Sequence, residues 1–237
     1  MKHYFFTRIA CDARTIYPKS RIRSDAEIRQ IIGTWLDYSR EFYHSQTVRV
    51  PFQVMLRYSN MYRQTVKDFS WPDYCDLHPG WLNEWAAANI PVGEECTLSR
   101  VDADDSYSVD FMEYLEQLKY PKRTLILHKK IKQLRVDTGE WTNVMTHRSP
   151  MFATIYFPSW PGFEYKDRHG NMDVMEGIQG NHGKYRTVPH ETSPKCFALM
   201  RITGRNAANR WKTLGVRNIN DVTVTKEPDP RFVGYEK

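Results

Sequence analysis

Over the first half of the chain, short apolar runs alternate with segments of helical period. That alternation limits the possible folds more than any other feature. HYFFTRIA (3–10), FQVMLRYS (52–59) and ECTLSRV (95–101) have the length and the aromatic and β-branched content of buried strands. Between the first two, SDAEIRQIIGTWLDYSREFYHSQT (24–47) opens on Ser24 with Glu27 three residues later, the pattern of a capping box. Ile28, Ile31, Ile32, Trp35 and Leu36 then recur at helical spacing. The segment 62–80 holds a short strand ending near Asp76, and PGWLNEWAAANI (79–90) sets Pro79 and Gly80 ahead of an alanine-rich helix. Strand and helix in this order predict an α/β sheet.

After ECTLSRV, Ser108 is placed to cap a helix in VDFMEYLEQLKY, with Phe111, Met112, Leu115 and Leu118 on one face. Beyond Pro121 the character changes. TLILHKKIKQLRVDTGEWTNVMTH alternates around DTGEW and reads as a β-hairpin; FATIYF (152–157) and CFALMRIT (196–203) read as strands. Residues 158–195 are rich in Gly, Pro, His and charge and read mostly as loop. The expectation is one domain over 1–237, with a central, mostly parallel sheet and a loop-rich, strand-rich C-terminal half. A boundary near residue 120 would divide it into two parts.

The chain has no apolar run of 18 residues, so no membrane span is expected. Its start lacks the longer apolar block of a secretion signal. The four cysteines, Cys11, Cys75, Cys96 and Cys196, are scattered without metal spacing, which points to reduced thiols and a cytoplasmic setting. The formal net charge of +6 suits a phosphate-rich ligand or nucleic acid, and is also common in ordinary soluble proteins.

The stretch SRVDADDSYSVDF (99–111) places Asp102, Asp104 and Asp105 within four positions at the end of a strand. Ligands of open α/β sheets sit outside the carboxyl ends of strands. Carboxylates packed this closely repel unless a cation or hydrogen-bond donors neutralise them. Oxygen ligands suit Mg²⁺ or Mn²⁺, which can share their remaining positions with phosphate oxygens. The other reading is a helix N-terminal turn, where the dipole favours acids.

The segment SRVDADDSYSVDFMEYL resembles the Arg-(apolar)-Asp-x-Asp-Asp segment of the rhamnosyltransferase-like glycosyltransferases. FFTR (5–8), WLDYSREFYHSQT (35–47), RQTVKDFSWPDYCD (63–76) and RITGRNAANRW (201–211) are similar to further segments of that family, in the same order. The resemblance implies a GT-A type fold, with a nucleotide-sugar-binding part over 1–120 and an acceptor-binding part over 121–237. It implies a sugar transferred from a nucleotide-sugar donor to a hydroxyl acceptor such as a glycan; the net positive charge would also suit a modified DNA base as acceptor. It further implies a Mn²⁺ or Mg²⁺ held by Asp102, Asp104 and Asp105, bridging the donor diphosphate. Thr7, Arg8, Arg100, Asp102 and Asn206 would lie near the nucleotide. The family has a His before the Gly of its last segment, where this chain has Thr203; either His182 or His190 replaces it as the late metal ligand, or the metal has only acidic and water ligands.

An inverting transfer needs a general base. Glu164, Asp167, Asp173 and Glu176 all lie in the loop-rich segment, and Glu176 is carried forward with Asp105 as the catalytic pair. Trp160 and Phe163 could form a platform for a sugar or a base. Trp35, Trp71, Trp81 and Trp85 fall in periodic or apolar contexts and are expected in the core. The basic loop RTIYPKSRIR (14–23) supports a different class of function, a non-catalytic nucleic-acid-binding protein that retains the fold.

Overall fold

The computed structural model describes residues 1–11, 22–146, 152–162, 189–202 and 223–233. The chain is mixed α/β. Strands β1 (Lys2–Ala10), β2 (Phe52–Tyr58), β3 (Cys75–His78) and β4 (Cys96–Arg100) form the parallel half of a seven-stranded sheet, in the order β3-β2-β1-β4. Next to β4 lies β10 (Ala153–Phe157), antiparallel to it, followed by β6 (Thr124–Leu127) and β11 (His190–Thr192). A second sheet takes β5 (Ser106–Tyr107), β7 (Lys130–Arg135), β8 (Glu140–Thr142), β9 (Met145–Thr146), β12 (Ala198–Ile202) and β13 (Val224–Thr225). Of its pairings, β7 with β12 is parallel and the others are antiparallel. Strands from both sides of residue 120 enter both sheets.

The helices form where the local signals place them. Ser24 Oγ accepts the Glu27 N–H at 3.3 Å and Glu27 Oε2 accepts the Ser24 N–H at 2.9 Å, which starts α1 (Asp25–Thr34). One π-helical turn, Trp35–Ser39, carries it into α2 (Arg40–His44). Helix α3 (Arg63–Lys67) and helix α4 (Leu82–Asn89) follow β2 and β3. Helix α5 (Phe111–Glu116) is shorter than its sequence pattern. Its N-cap is Asp110 rather than Ser108, whose hydroxyl donates to Asp110 Oδ1 at 2.5 Å. Among the described residues, no helix is long and apolar enough to cross a membrane.

The alternation along β1 sorts the core into two layers, because successive side chains face opposite sides of a sheet. Phe5 and Ile9 pack with Ile28, Ile32, Trp35, Phe42 and Phe111, so α1, α2 and α5 cover that face. Tyr4 and Phe6 pack with Met55, Leu82, Trp85, Ala86 and Leu98, so α4 covers the other. The expected hairpin exists between β7 and β8, which turn at Gly139 with φ +66. TLIL does not belong to it: β6 leaves for the first sheet and pairs with β10. Periodicity shows that a run is a strand and not which sheet receives it.

Candidate functional site at the carboxyl ends of β1, β2 and β4

The chain passes from β1 outward to β2 and β3 and then returns to the opposite side of β1 as β4. Such a reversal leaves a crevice at the carboxyl ends of the two strands that flank it, here β1 and β4. Arg8 ends β1 and Arg100 ends β4. Phe6 and Arg100 are register partners, as are Arg8 and Arg57 of β2. Partners in a parallel ladder share a face, so Arg8, Arg57 and Arg100 all stand on the α4 side.

Asp102 is the carboxylate that Arg8 and Arg100 meet. Arg100 is fully buried; its Nε and one terminal nitrogen donate to Asp102 Oδ1 at 3.1 and 2.8 Å, and the same nitrogen reaches Oδ2 at 3.2 Å. Arg8 approaches Asp102 Oδ1 from β1 at 3.5 Å. Burial lowers the Arg8 pKa, and Arg100 adds to the effect, while Asp102 opposes it. The turn itself is pinned. The Val101 N–H donates to Phe6 O at 3.1 Å, the Asp105 N–H to Asp102 O at 3.1 Å, and the Tyr107 hydroxyl to Arg100 O at 2.6 Å.

The three aspartates do not face one point. Asp102 and Asp104 are half-buried, whereas Asp105 is 1% exposed. Asp105 Oδ1 accepts the backbone N–H of Arg201, on β12 of the second sheet, at 3.0 Å. Burial, followed by the neighbouring charges of Asp104 and Asp102, raises the Asp105 pKa well above the ordinary carboxylate range. Arg201 is fully buried; its guanidinium donates to Asp104 O at 3.3 Å and Val233 O at 3.2 Å. Burial lowers its pKa to about 10. Asp105 therefore ties the turn to the second sheet, and the solvent side of the turn is left to Asp102 and Asp104. An amide keeps the shape of the carboxyl and an oxygen that accepts the Arg201 N–H. Asp105→Asn is therefore expected to change the free energy of unfolding by no more than about 1 kcal/mol, measured by urea titration at neutral pH.

Thr7 does not face the crevice. It is fully buried beside the Tyr43 hydroxyl, on the face covered by α1 and α2. His190 sits on β11, separated from β4 by β6 and β10, with Nε2 2.8 Å from Lys129 Nζ. Glu164, Asp167, Asp173, Glu176, His182, Thr203, Asn206 and Asn209 lie outside the described residues, as do Phe163 and most of the basic loop 14–23. Among the described residues, no group of three or more His, Cys, Asp or Glu side chains is gathered as a metal site.

Trp35 and Trp85 are buried and Trp71 is partly buried against the core, as expected; Trp160, the platform candidate, is buried as well. Trp81 is a correction: it is 47% exposed, and the Arg57 guanidinium lies 3.9 Å from its ring centroid. Sequence reasoning passed over Arg57 altogether. The available signal was an arginine near the carboxyl end of an otherwise apolar strand, in line with Arg8 and Arg100. No protein-family model matches the chain, and no curated protein matches it at a significant level.

Proposed function

We propose that the chain is a glycosyltransferase that binds the diphosphate of a nucleotide-sugar in the crevice between β1 and β4. The observation that carries this reading is the pairing of Asp102 with Arg8 and Arg100, beside the half-buried Asp104, at the point where the strand order reverses. The mixed α/β fold and the resemblance of 99–115 to the aspartate segment of glycosyltransferases support it. The GT-A assignment and the division into donor and acceptor parts belong to the same proposal.

The donor set suits a divalent ion through part of the turn only. Asp102 already serves Arg100, and Asp105 is turned inward. Asp104 and the outer side of Asp102 supply one or two carboxylates, which is how Mg²⁺ is commonly held when phosphate oxygens complete its shell. A bound Mn²⁺ or Mg²⁺ would lie against these two residues and stabilise the charge of the departing nucleoside diphosphate. The chain's own contribution is positioning. Asp102 fixes the planes of two guanidiniums, and the Tyr107 hydroxyl and the Arg201 side chain hold the turn, so little reorganisation is needed as charge develops. The acceptor hydroxyl, of a glycan or of DNA, and a base such as Glu176 remain with the acceptor part of the chain.

The test is a thermal-shift panel of UDP-, GDP-, CMP- and dTDP-linked sugars, each with Mn²⁺ and with EDTA. One nucleotide class at 100 times its Kd is expected to stabilise the fold by about 2.7 kcal/mol, a shift of about 5 °C or more for a chain of this size. The shift should be larger with Mn²⁺, and Asp104→Ala should remove the difference. No shift with any donor would overturn the reading. Salt-sensitive DNA or RNA binding indifferent to metal would then favour the non-catalytic nucleic-acid-binding alternative.

A further inference from the structure

Arg57 is 9% exposed, and its Nε makes no hydrogen bond among the described residues. No ion pair to Arg57 occurs among those residues. Of the carboxylates on this side, Asp102 is engaged by Arg8 and Arg100, and Asp76 accepts from Gln53 and Trp85. A buried guanidinium without an anion is costly, because desolvation falls on the charge and on each unmet N–H. The face of Trp81 offsets part of that cost. Trp81 is itself held in place: its N–H donates to Glu84 Oε2 at 3.0 Å. Gly80 leaves the room for this, since a Cβ there would sit 2.1 Å from the same oxygen.

Arg8, its register partner on β1, adds positive charge; His78, its register partner on β3, has Nε2 without a hydrogen bond among the described residues and 3.8 Å from Glu84 Oε2. Arg57, Arg8 and Arg23 act electrostatically on Cys11 at the end of β1 against Asp102 alone among the described residues, so three guanidiniums face one carboxylate around that strand end. A planar fork of donors with excess positive charge matches a phosphoryl group better than a neutral ligand.

We infer that Arg57, 3.9 Å over the Trp81 ring and flanked by Arg8 and His78, is a metal-independent anion site that takes a phosphoryl group. Within the proposed transferase it deepens the donor site, gripping phosphate through a guanidinium in addition to any ion held at Asp104. It does not require that reading, since inorganic pyrophosphate carries the same chemistry.

The experiment is calorimetric titration with inorganic pyrophosphate in EDTA, on the wild type, Arg57→Met and Arg57→Lys. Met keeps a flexible apolar chain against Trp81 and removes the charge. The wild type is expected to bind pyrophosphate, Arg57→Met at least about tenfold more weakly, and Arg57→Lys in between because it loses the fork. Without ligand, Arg57→Met is expected to melt at or above the wild-type temperature, as removal of an uncompensated buried charge predicts. No pyrophosphate binding by the wild type, equal binding by Arg57→Met, or ligand-free melting of Arg57→Met several degrees lower would each overturn the inference. A nucleoside diphosphate that binds far more tightly than pyrophosphate identifies the phosphate as a nucleotide's; equal affinities identify a free anion. If pyrophosphate binds through Arg57 but no donor gives a Mn²⁺-dependent shift, this inference stands and the transferase reading fails. A Mn²⁺-dependent donor shift with pyrophosphate binding untouched by Arg57→Met removes this inference alone.

Discussion

Asp102→Ala is expected to lower the free energy of unfolding by about 3 kcal/mol, because it leaves the buried Arg100 without its carboxylate. Arg100 is fully buried and spends two of its nitrogens on Asp102, while Arg8 approaches the same oxygen from the adjacent strand. One substitution thus strands two guanidiniums. Asp104→Ala, two residues away and half-buried, is expected to cost less than about 1 kcal/mol, since its backbone carbonyl, which receives Arg201, survives the change. Urea titration of the two variants separates the roles. Equal losses would mean that the Arg100–Asp102 pair is not the structural anchor of the turn. Removing both partners, as Arg100→Met with Asp102→Asn, should recover part of the loss, because the cost comes from the unpaired charge more than from the missing bond.

Acidification between pH 6.5 and 4 is expected to destabilise the fold more steeply than carboxylate protonation alone would. His3 and His128 are both fully buried. Desolvation lowers the His3 pKa from 6.5 to about 4 against the opposing pull of Glu116, and lowers that of His128 from 6.5 to about 3. Over this window the unfolded chain takes up protons that the folded chain refuses. The stability these residues allow is therefore complete above pH 6.5 and falls as the pH drops. By pH 4 each has cost on the order of 3 kcal/mol. Asp105 runs the other way. Its raised pKa gives stability that is complete below the ordinary carboxylate range and is lost as the pH rises, so it offsets a part of the trend.

His128 stands among the rings of Tyr107, Phe111, Tyr114 and Phe197, with Nε2 2.9 Å from the Thr154 hydroxyl. Phenylalanine fits that surround, so His128→Phe should flatten the stability profile between pH 6.5 and 4 in denaturant titrations. An unchanged profile in that variant would assign the acid sensitivity elsewhere.

The elements of the first half were legible because their signals are local. A capping box spans three residues, and an apolar period repeats within a turn or two, so α1 and strands β1, β2 and β4 can be read without their partners. The aspartate turn was legible in the same way, as charge concentrated where a strand ends. Its internal division of labour was not. Asp102, Asp104 and Asp105 look alike in sequence, yet one is fixed by a guanidinium two residues away, one half-faces solvent, and one receives an N–H from Arg201. That last bond spans 96 positions and exists because β12 pairs with β5.

Arg57 and Trp81 show the same limit from the other side. An arginine in an apolar strand and a tryptophan before a helix carry no mutual signal in the sequence. The parallel register of β1, β2 and β3 sets Arg57 beside Arg8 and His78, and the start of α4 brings the Trp81 ring over it. The sequence by itself determined which segments form strands and helices, and where negative charge gathers, because those depend on neighbours along the chain. The tertiary structure decided which sheet received β6, which aspartate turned inward, and which cation pairs with no carboxylate among the described residues. Those outcomes depend on strand order, register and burial, which couple residues far apart in the chain.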